Sequence, residues 1–204
     1  MQNNITNSEI KQAIVQAVNT VFRNEGRFAS SEQEIAKVAD CSIETVRECF
    51  PDLTELYSAA MTENIRYFTQ NVKDIVNEGN TLIEKIVHLT EYYIDMMLKY
   101  PKCLEFMFRD VKEKPGRLMN SLSLTGFVAE SVMAKQIEAA VKHQSNRIKP
   151  LHYIMNIISM CVFPFLGSQM IRSYGGLTDE EYFTMMEERK RLIPIWAEAM
   201  MKEG

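Results

Sequence analysis

Residues 30–51 read SSEQEIAKVADCSIETVRECFP, and the fold turns on what this stretch can form. Ser31-Glu32-Gln33-Glu34 has the pattern of a capping box, in which a serine and a glutamate three positions on satisfy each other's backbone N–H groups. Ile35, Ala36 and Ala39 follow at helical spacing, so a short helix through Val38 is expected. Asp40-Cys41 interrupts the pattern, Ser42 offers a fresh cap, and Ile43 and Val46 mark a second short helix reaching about Cys49. Pro51 has no N–H to donate and stops that helix. Two short helices across a tight turn make a helix-turn-helix unit when longer helices brace them.

Both braces are legible. Upstream, Thr6-Asn7-Ser8-Glu9 fits another capping box, with Ile5 and Ile10 placed as a hydrophobic staple. Ile10, Ala13, Ile14, Ala17, Val18, Val21 and Phe22 then build one apolar face, and Gly26 supplies the stop. Downstream, Asp52-Leu53-Thr54-Glu55 opens a long helix to about Asn77. The chain thus divides into a head, residues 1–52, and a helical body, residues 53–204.

The body repeats the same punctuation. Thr81 and Glu84 start a helix that Pro101 ends, and another runs from about Lys102 to Lys112, before Pro115-Gly116. A longer one is expected from about Arg117 to His143. Pro150 suits the first position of a helix to about Ser173, closed by Gly175-Gly176. Thr178 and Glu181 cap the last helix, and Pro164 and Pro194 predict kinks inside the final two. No strand-like alternation occurs. The expectation is an all-α protein of about nine helices.

Composition narrows the function. The 204 residues are 46% hydrophobic and 25% charged, enough to bury a core without disulfides or metals. Cys41, Cys49, Cys103 and Cys161 are widely spaced and read as reduced, mostly buried thiols; Cys41 and Cys49 would report oxidation if exposed. His88, His143 and His152 form no ligand pattern, so neither a metal nor a cofactor is expected. No apolar run approaches the roughly 18 residues that span a bilayer, and MQNNITNSE lacks the features of a signal peptide. A cytoplasmic protein with no membrane partner follows. The chain has no GxSxG, phosphate-cradling glycine loop or nucleophile–base pattern, which disfavours an enzyme.

Over residues 30–56 the sequence resembles the TetR family of bacterial one-component regulators. Ile35-Ala36-Lys37, Ala39 and Ser42 resemble that family's second helix and turn; Thr45-Val46, Phe50-Pro51 and Leu56 resemble its recognition helix and fourth helix. The helix from Met185 to Arg189 resembles its closing helix more faintly. The resemblance implies a ligand-responsive transcriptional regulator, a repressor, acting as a homodimer on double-stranded operator DNA. The helix from Ser42 to Cys49 would enter the major groove, with Ser42, Ile43, Glu44, Thr45, Arg47 and Glu48 facing it. Arg47 is the best base reader, because its planar fork matches guanine O6 and N7. Ser30, Ser31 and Thr54, at helix N-termini, would meet phosphates.

Some positions depart from the family pattern. Asp40 stands where glycine is usual in the turn, Glu32 where an apolar residue is typical, and Leu53 where a basic residue is common. Arg47 and Cys49 replace an aromatic pair. Over residues 1–56 the bases are Lys11, Arg23, Arg27, Lys37 and Arg47, against Glu9, Glu25, Glu32, Glu34, Asp40, Glu44, Glu48, Asp52 and Glu55. Four net negative charges in a DNA-binding head oppose the phosphate neutralisation that gives most such proteins their affinity. An alternative therefore stands beside the regulator: a degenerate TetR-like helical dimer that binds a small molecule or protein without operator DNA.

In the body, fourteen methionines mingle with aromatics. Tyr92, Tyr93, Met96, Met97, Tyr100, Phe106, Met155 and Phe163 are the candidates for a pocket holding a largely apolar small molecule, with ordinary core packing as the competing reading. Ile154, Ile157, Ile158, Cys161, Phe165, Ile193, Trp196 and Met200, on the last two helices, are the candidates for a two-fold interface, which the resemblance implies. The charged runs Arg109–Lys114 and Glu187–Arg191 read as solvated surface.

Overall fold

In the computed structural model, which describes residues 7–29, 31–113, 126–142 and 149–202, ten α-helices form and no strand does among those residues. The chain separates into two compact units, Met1–Tyr67 and Phe68–Gly204.

The first unit holds α1 (Asn7–Glu25), α2 (Glu32–Val38), α3 (Ile43–Cys49) and the first part of α4 (Leu53–Asn77). The expected caps form. Ser31 Oγ accepts from Glu34 N at 3.2 Å, and Ser42 Oγ accepts from Thr45 N at 3.1 Å. Asp52 Oδ1 accepts from Thr54 N at 2.8 Å, opening α4. Thr6 and Ile5, expected to cap and staple α1, lie outside the described residues. The turn after α2 closes with Ala39 N donating to Ile35 O at 2.9 Å and Cys41 N donating to Ala36 O at 3.0 Å. That geometry needs one left-handed residue, and Asp40 supplies it with φ of 52°. Aspartate tolerates the conformation better than most residues but less well than glycine.

α1, α2 and α3 pack on one another. Ile14, Val18 and Phe22 of α1, Ile35 and Ala36 of α2, Val46 and Cys49 of α3, and Leu56 and Ala60 of α4 form the core. Phe22 stacks on Phe28 with ring centres 4.5 Å apart, and the Tyr57 hydroxyl donates to Ala29 O at 2.8 Å. A polar ladder ties α1 to α4. Asn64 Nδ2 donates to Asn19 Oδ1 at 2.8 Å, Arg23 Nε donates to Asn64 Oδ1 at 3.0 Å, and Gln16 Nε2 donates to Glu63 Oε2 at 2.7 Å. Asn19 and Asn64 are fully buried, so each bond replaces one that water would otherwise make.

The second unit holds the rest of α4 with α5 (Leu82–Lys99), α6 (Pro101–Glu113), α7 (Val132–Val141), α8 (Pro150–Leu166), α9 (Ser168–Gly175) and α10 (Asp179–Lys202). Thr81 and Glu84 complete a reciprocal capping box on α5. Thr178 N donates to Glu181 Oε2 at 2.8 Å and Glu181 N donates to Thr178 Oγ1 at 3.2 Å, a second box on α10. Pro150 occupies the first position of α8. α5, α8 and α10 pack together around Ile86, Leu89, Ile94, Ile157, Met186 and Ile193.

Two expectations need correction. The helix expected from Arg117 to His143 does not run through its middle: Gly126 is left-handed (φ 78°), and α7 starts only at Val132. Ser131 caps it, accepting from Ala134 N at 3.1 Å, while Asn77 Oδ1 accepts from Val132 N at 3.1 Å. A buried serine with such a partner sets a helix start that apolar periodicity cannot show. Residues 117–125 and His143 lie outside the described residues. Likewise, Pro150 to Ser173 is not one kinked helix. It breaks at Gly167 into α8 and α9, which lie 73° apart. Pro164, inside α8, leaves the Met160 carbonyl without its helical donor. Gly167, with φ −91° and ψ 15°, then turns the chain, its N–H still bonded to Phe163 O at 2.9 Å. Pro194, by contrast, sits inside an unbroken α10.

Asp40→Gly should raise stability by about 0.5–1 kcal/mol, and Asp40→Val should lower it, in urea unfolding of the full chain. Asn64→Leu should cost about 2–3 kcal/mol, because it strands the buried Asn19 Oδ1 and removes the acceptor of Arg23 Nε; an unchanged midpoint would show the ladder to be idle.

Candidate functional site

α3 is seven residues long, and its helical period divides it cleanly. Val46 and Cys49 are buried in the first unit's core. Glu44, Arg47 and Glu48, three and four apart, share the exposed face, with Ser42 exposed ahead of them and Ile43 and Thr45 half-buried at its edges. Six of the expected groove-facing residues therefore lie on or beside one accessible surface of the unit. Ser31 is half-buried and Thr54 exposed, each beside the first turn of a helix, α2 and α4. Ser30 lies outside the described residues.

Arg47 is not idle. Its Nε donates to Glu32 Oε2 at 2.9 Å and its Nη2 approaches the same oxygen at 2.7 Å. Glu32, on α2, thereby holds the one basic side chain of α3 in place, and the carboxylate strengthens the guanidinium's hold on its proton. Both side chains are accessible to water, so the pair is exchangeable. The sequence marked Glu32 as unusual and Arg47 as a reader, but not their pairing, which needs the angle between two helices.

Carboxylates also occupy the helix N-termini on this unit. Glu44 lies in the first turn of α3, where its own backbone N–H and then the Ser42 hydroxyl hold its carboxyl below the usual range. Asp52 does the same at α4, held low by the Thr54 backbone N–H and side chain. A depressed carboxyl keeps its charge to lower pH than an ordinary one, so Glu44 and Asp52 remain anionic in mild acid. Ser31 uses a hydroxyl lone pair for its cap and keeps its O–H to donate, whereas the Ser42 hydroxyl, besides capping, already meets the Glu44 carboxyl and Thr45 Oγ1.

The pocket candidates differ in exposure. Met97 and Tyr100 are buried in the core of the second unit, and Tyr92 donates to Phe68 O at 3.1 Å while accepting from Asn71 Nδ2 at 3.0 Å. Burial pushes the Tyr93 phenol up. Met96 and Phe106 are half-buried, whereas Met155 and Phe163 face outward from α8. The interface candidates also part company. Ile154, Ile157, Cys161 and Ile193 are buried within the protomer; Ile158, Phe165 and Met200 are half-buried, and Trp196 is exposed. α8 is apolar almost all round, so its period left the inward face undecided. Its outward apolar stripe runs through Leu151, Met155, Ile158, Val162 and Leu166, at steps of three and four.

The run Glu187–Arg191 is corrected as well. Tyr182, Met186, Ile193 and Ala197 are the buried stripe of α10, and Arg189 falls between them at the same spacing. Its Nη2 donates to Met160 O at 2.8 Å, the carbonyl that Pro164 leaves free. Lys190 bonds Glu187 and Asp95. Lys85, a buried cation that the sequence did not mark, donates to Gln136 Oε1 at 2.8 Å.

Among the described residues no group of three His, Cys, Asp or Glu side chains could hold a metal, and no single helix is long and apolar enough to cross a membrane.

No protein-family model matches the chain. It is 21% identical over 198 residues to a protein of Bacillus subtilis (strain 168) described as "Probable HTH-type transcriptional regulator YttP", and the match covers 95% of each chain.

Thiol chemistry gives a direct check on the packing. Burial pushes the Cys103 and Cys161 thiols up to about 12, Cys49 is buried, and Cys41 is half-buried. At pH 8 a thiol-exchange reagent should label Cys41 first and the other three only on unfolding. Rapid labelling of Cys49 would mean that α3 does not pack as described.

Proposed function

We propose that this chain is a DNA-binding transcriptional regulator that reads an operator with α3. One observation carries the reading: α3, held by its buried Val46 and Cys49, turns Ser42, Glu44, Arg47 and Glu48 outward on a helix-turn-helix whose turn is closed by a left-handed Asp40. The end-to-end similarity to a protein described as a helix-turn-helix regulator supports it. In this reading Arg47 leaves Glu32 to fork onto a guanine edge, while Ile43 and Thr45 pack against the groove wall. Ser31 and Thr54 hold phosphates beside it.

The finer reading follows the resemblance to TetR-type repressors. The regulator works as a homodimer, with residues 1–52 as the DNA-binding part and residues 53–204 as the ligand-binding and dimerising part. A two-fold axis would place two copies of α3 on successive half-sites, about 34–36 Å apart or a multiple of that. The exposed apolar stripe of α8, with Leu151 and Met155 each about half exposed, supports a partner there. A small molecule that releases the repressor from DNA must bind the DNA-bound form less tightly than the free one.

The acidity of the first unit favours a second reading, in which the unit has exchanged DNA for another partner. The two are separated by titrating the full-length protein against selected genomic fragments at about 50 mM and 200 mM salt. Arg47→Ala should weaken specific binding by about 1–3 kcal/mol, whereas Glu32→Gln should strengthen it by releasing Arg47. Because Glu44 and Asp52 stay charged in mild acid, lowering the pH to about 5.5 should not mimic Glu44→Gln, which should raise affinity. If no fragment binds in a salt-sensitive manner, or Arg47→Ala changes nothing, α3 is not a DNA reader.

A further inference from the structure

Arg189 has an incomplete set of partners. Its Nη2 is fixed by the Met160 carbonyl, and its guanidinium lies over the Trp196 ring at 5.4 Å. Nε is buried with no hydrogen-bond partner, and among the described residues no carboxylate pairs with this cation. Burial weakens its hold on the proton. A half-buried guanidinium whose Nε is shut off from water and which has no anion beside it is an arrangement that a counter-ion would improve.

An open groove of about 520 Å³ lies beside it, between α8, α9 and α10. Met160, Phe163, Pro164, Ile171, Met185, Met186 and the exposed Ser159 line it, with Arg189 the one charged lining group among the described residues. That volume is in the range of small-molecule sites, roughly 300–1,000 Å³. Flexible thioethers suit a chain-like apolar body. A second guanidinium, Arg172, lies over the Tyr182 ring at 5.5 Å but is paired with Asp179, so among the described residues one unpaired cation remains, which suits a single negative charge rather than a phosphate dianion. The groove is offset from the stripe through Leu151 and Met155 but adjoins it: Ser159 is four positions from Met155, about 40° round the helix, and Phe163 eight positions, about 80°.

We propose that this groove binds an amphipathic monocarboxylate, its carboxylate paired with Arg189 and its hydrocarbon laid along the methionine and phenylalanine walls. The site stands independently of the DNA reading. Pro164 contributes indirectly: by leaving the Met160 carbonyl free it supplies the acceptor that holds Arg189 at the groove.

The chain has one tryptophan, and it is the residue stacked on Arg189, so it reports on the site. Full-length protein is titrated with dodecanoate below its micelle concentration, following Trp196 emission and calorimetric heat. Saturable binding at one molecule per chain is expected, with dodecanol at least about ten-fold weaker because it lacks the charge. Arg189→Gln should weaken dodecanoate by a similar factor and leave dodecanol unchanged. Since Arg189→Gln also removes a partner of Met160, Ser159→Phe serves as the second variant. It fills the groove from an exposed position, keeps Arg189, and should abolish binding with the circular dichroism spectrum intact. The proposal is overturned if dodecanol binds as well as dodecanoate, if Ser159→Phe binds normally, or if no saturation occurs. Sedimentation showing that Ser159→Phe breaks a dimer, with dodecanoate unbound by either form, would assign the groove to a second copy instead.

Discussion

A helix of seven residues makes fewer than two turns, and two such helices carry the candidate DNA-reading surface. At that length the cost of nucleation is not recovered by hydrogen bonds alone, so neither α2 nor α3 would persist outside the folded unit. What holds them is the burial of two side chains each, Ile35 with Ala36 and Val46 with Cys49, against α1 and the start of α4. The outward face of α3 is the geometric complement of that inward one. Any change that loosens the core under Val46 would also turn Arg47 and Glu44. The caps sharpen the arrangement, since Ser31 and Ser42 each take one backbone N–H that would otherwise point at nothing. Asp40 accepts a strained conformation so that the second helix can leave the first at the required angle.

The longer helices impose a different constraint. α1 and α4 could slide along each other by a turn and still bury aliphatic side chains, because apolar contact is not directional. The ladder through Gln16, Asn19, Arg23, Glu63 and Asn64 removes that freedom. Each bond has one register in which donor meets acceptor, and a slip would strand two buried amides. The core supplies the attraction between the helices, and the ladder selects the alignment.

This division explains what could be read from the sequence. Caps, stops and apolar faces are local, so the helix-turn-helix, the long α4 and the boxes at Thr81 and Thr178 were legible from spacing alone. The outward placement of Glu44, Arg47 and Glu48 rests on the family resemblance rather than on spacing. Partnerships between helices were not legible. Nothing in the order of residues links Glu32 to Arg47, Asn19 to Asn64 or Arg189 to the carbonyl of Met160. A start hidden in a loop, as at Ser131, was masked by an apolar pattern that reads through it. α8 failed for a further reason: when nearly every position is apolar, periodicity carries little information about which side faces in. Arg189 is within reach, because it lies on the stripe defined by Tyr182, Met186 and Ile193, but a charge among charges reads as surface.

The electrostatics of the first unit argue for selectivity over strength in any nucleic acid contact it makes. Affinity for DNA in general comes from cations meeting phosphates, and the N-termini of α3 and α4, which commonly serve that purpose, already hold Glu44 and Asp52. Arg47 is tied to Glu32 in the free protein. A lone phosphate offers Arg47 little that the carboxylate does not, since both are anionic oxygens in water. A guanine edge offers two acceptors, O6 and N7, in the plane of the guanidinium. Glu32 would remain partly accessible after the exchange, so its loss of a partner is softened by solvent. On the regulator reading, the pair between α2 and α3 discounts contacts that any sequence could make and leaves those that only the right base pair can repay.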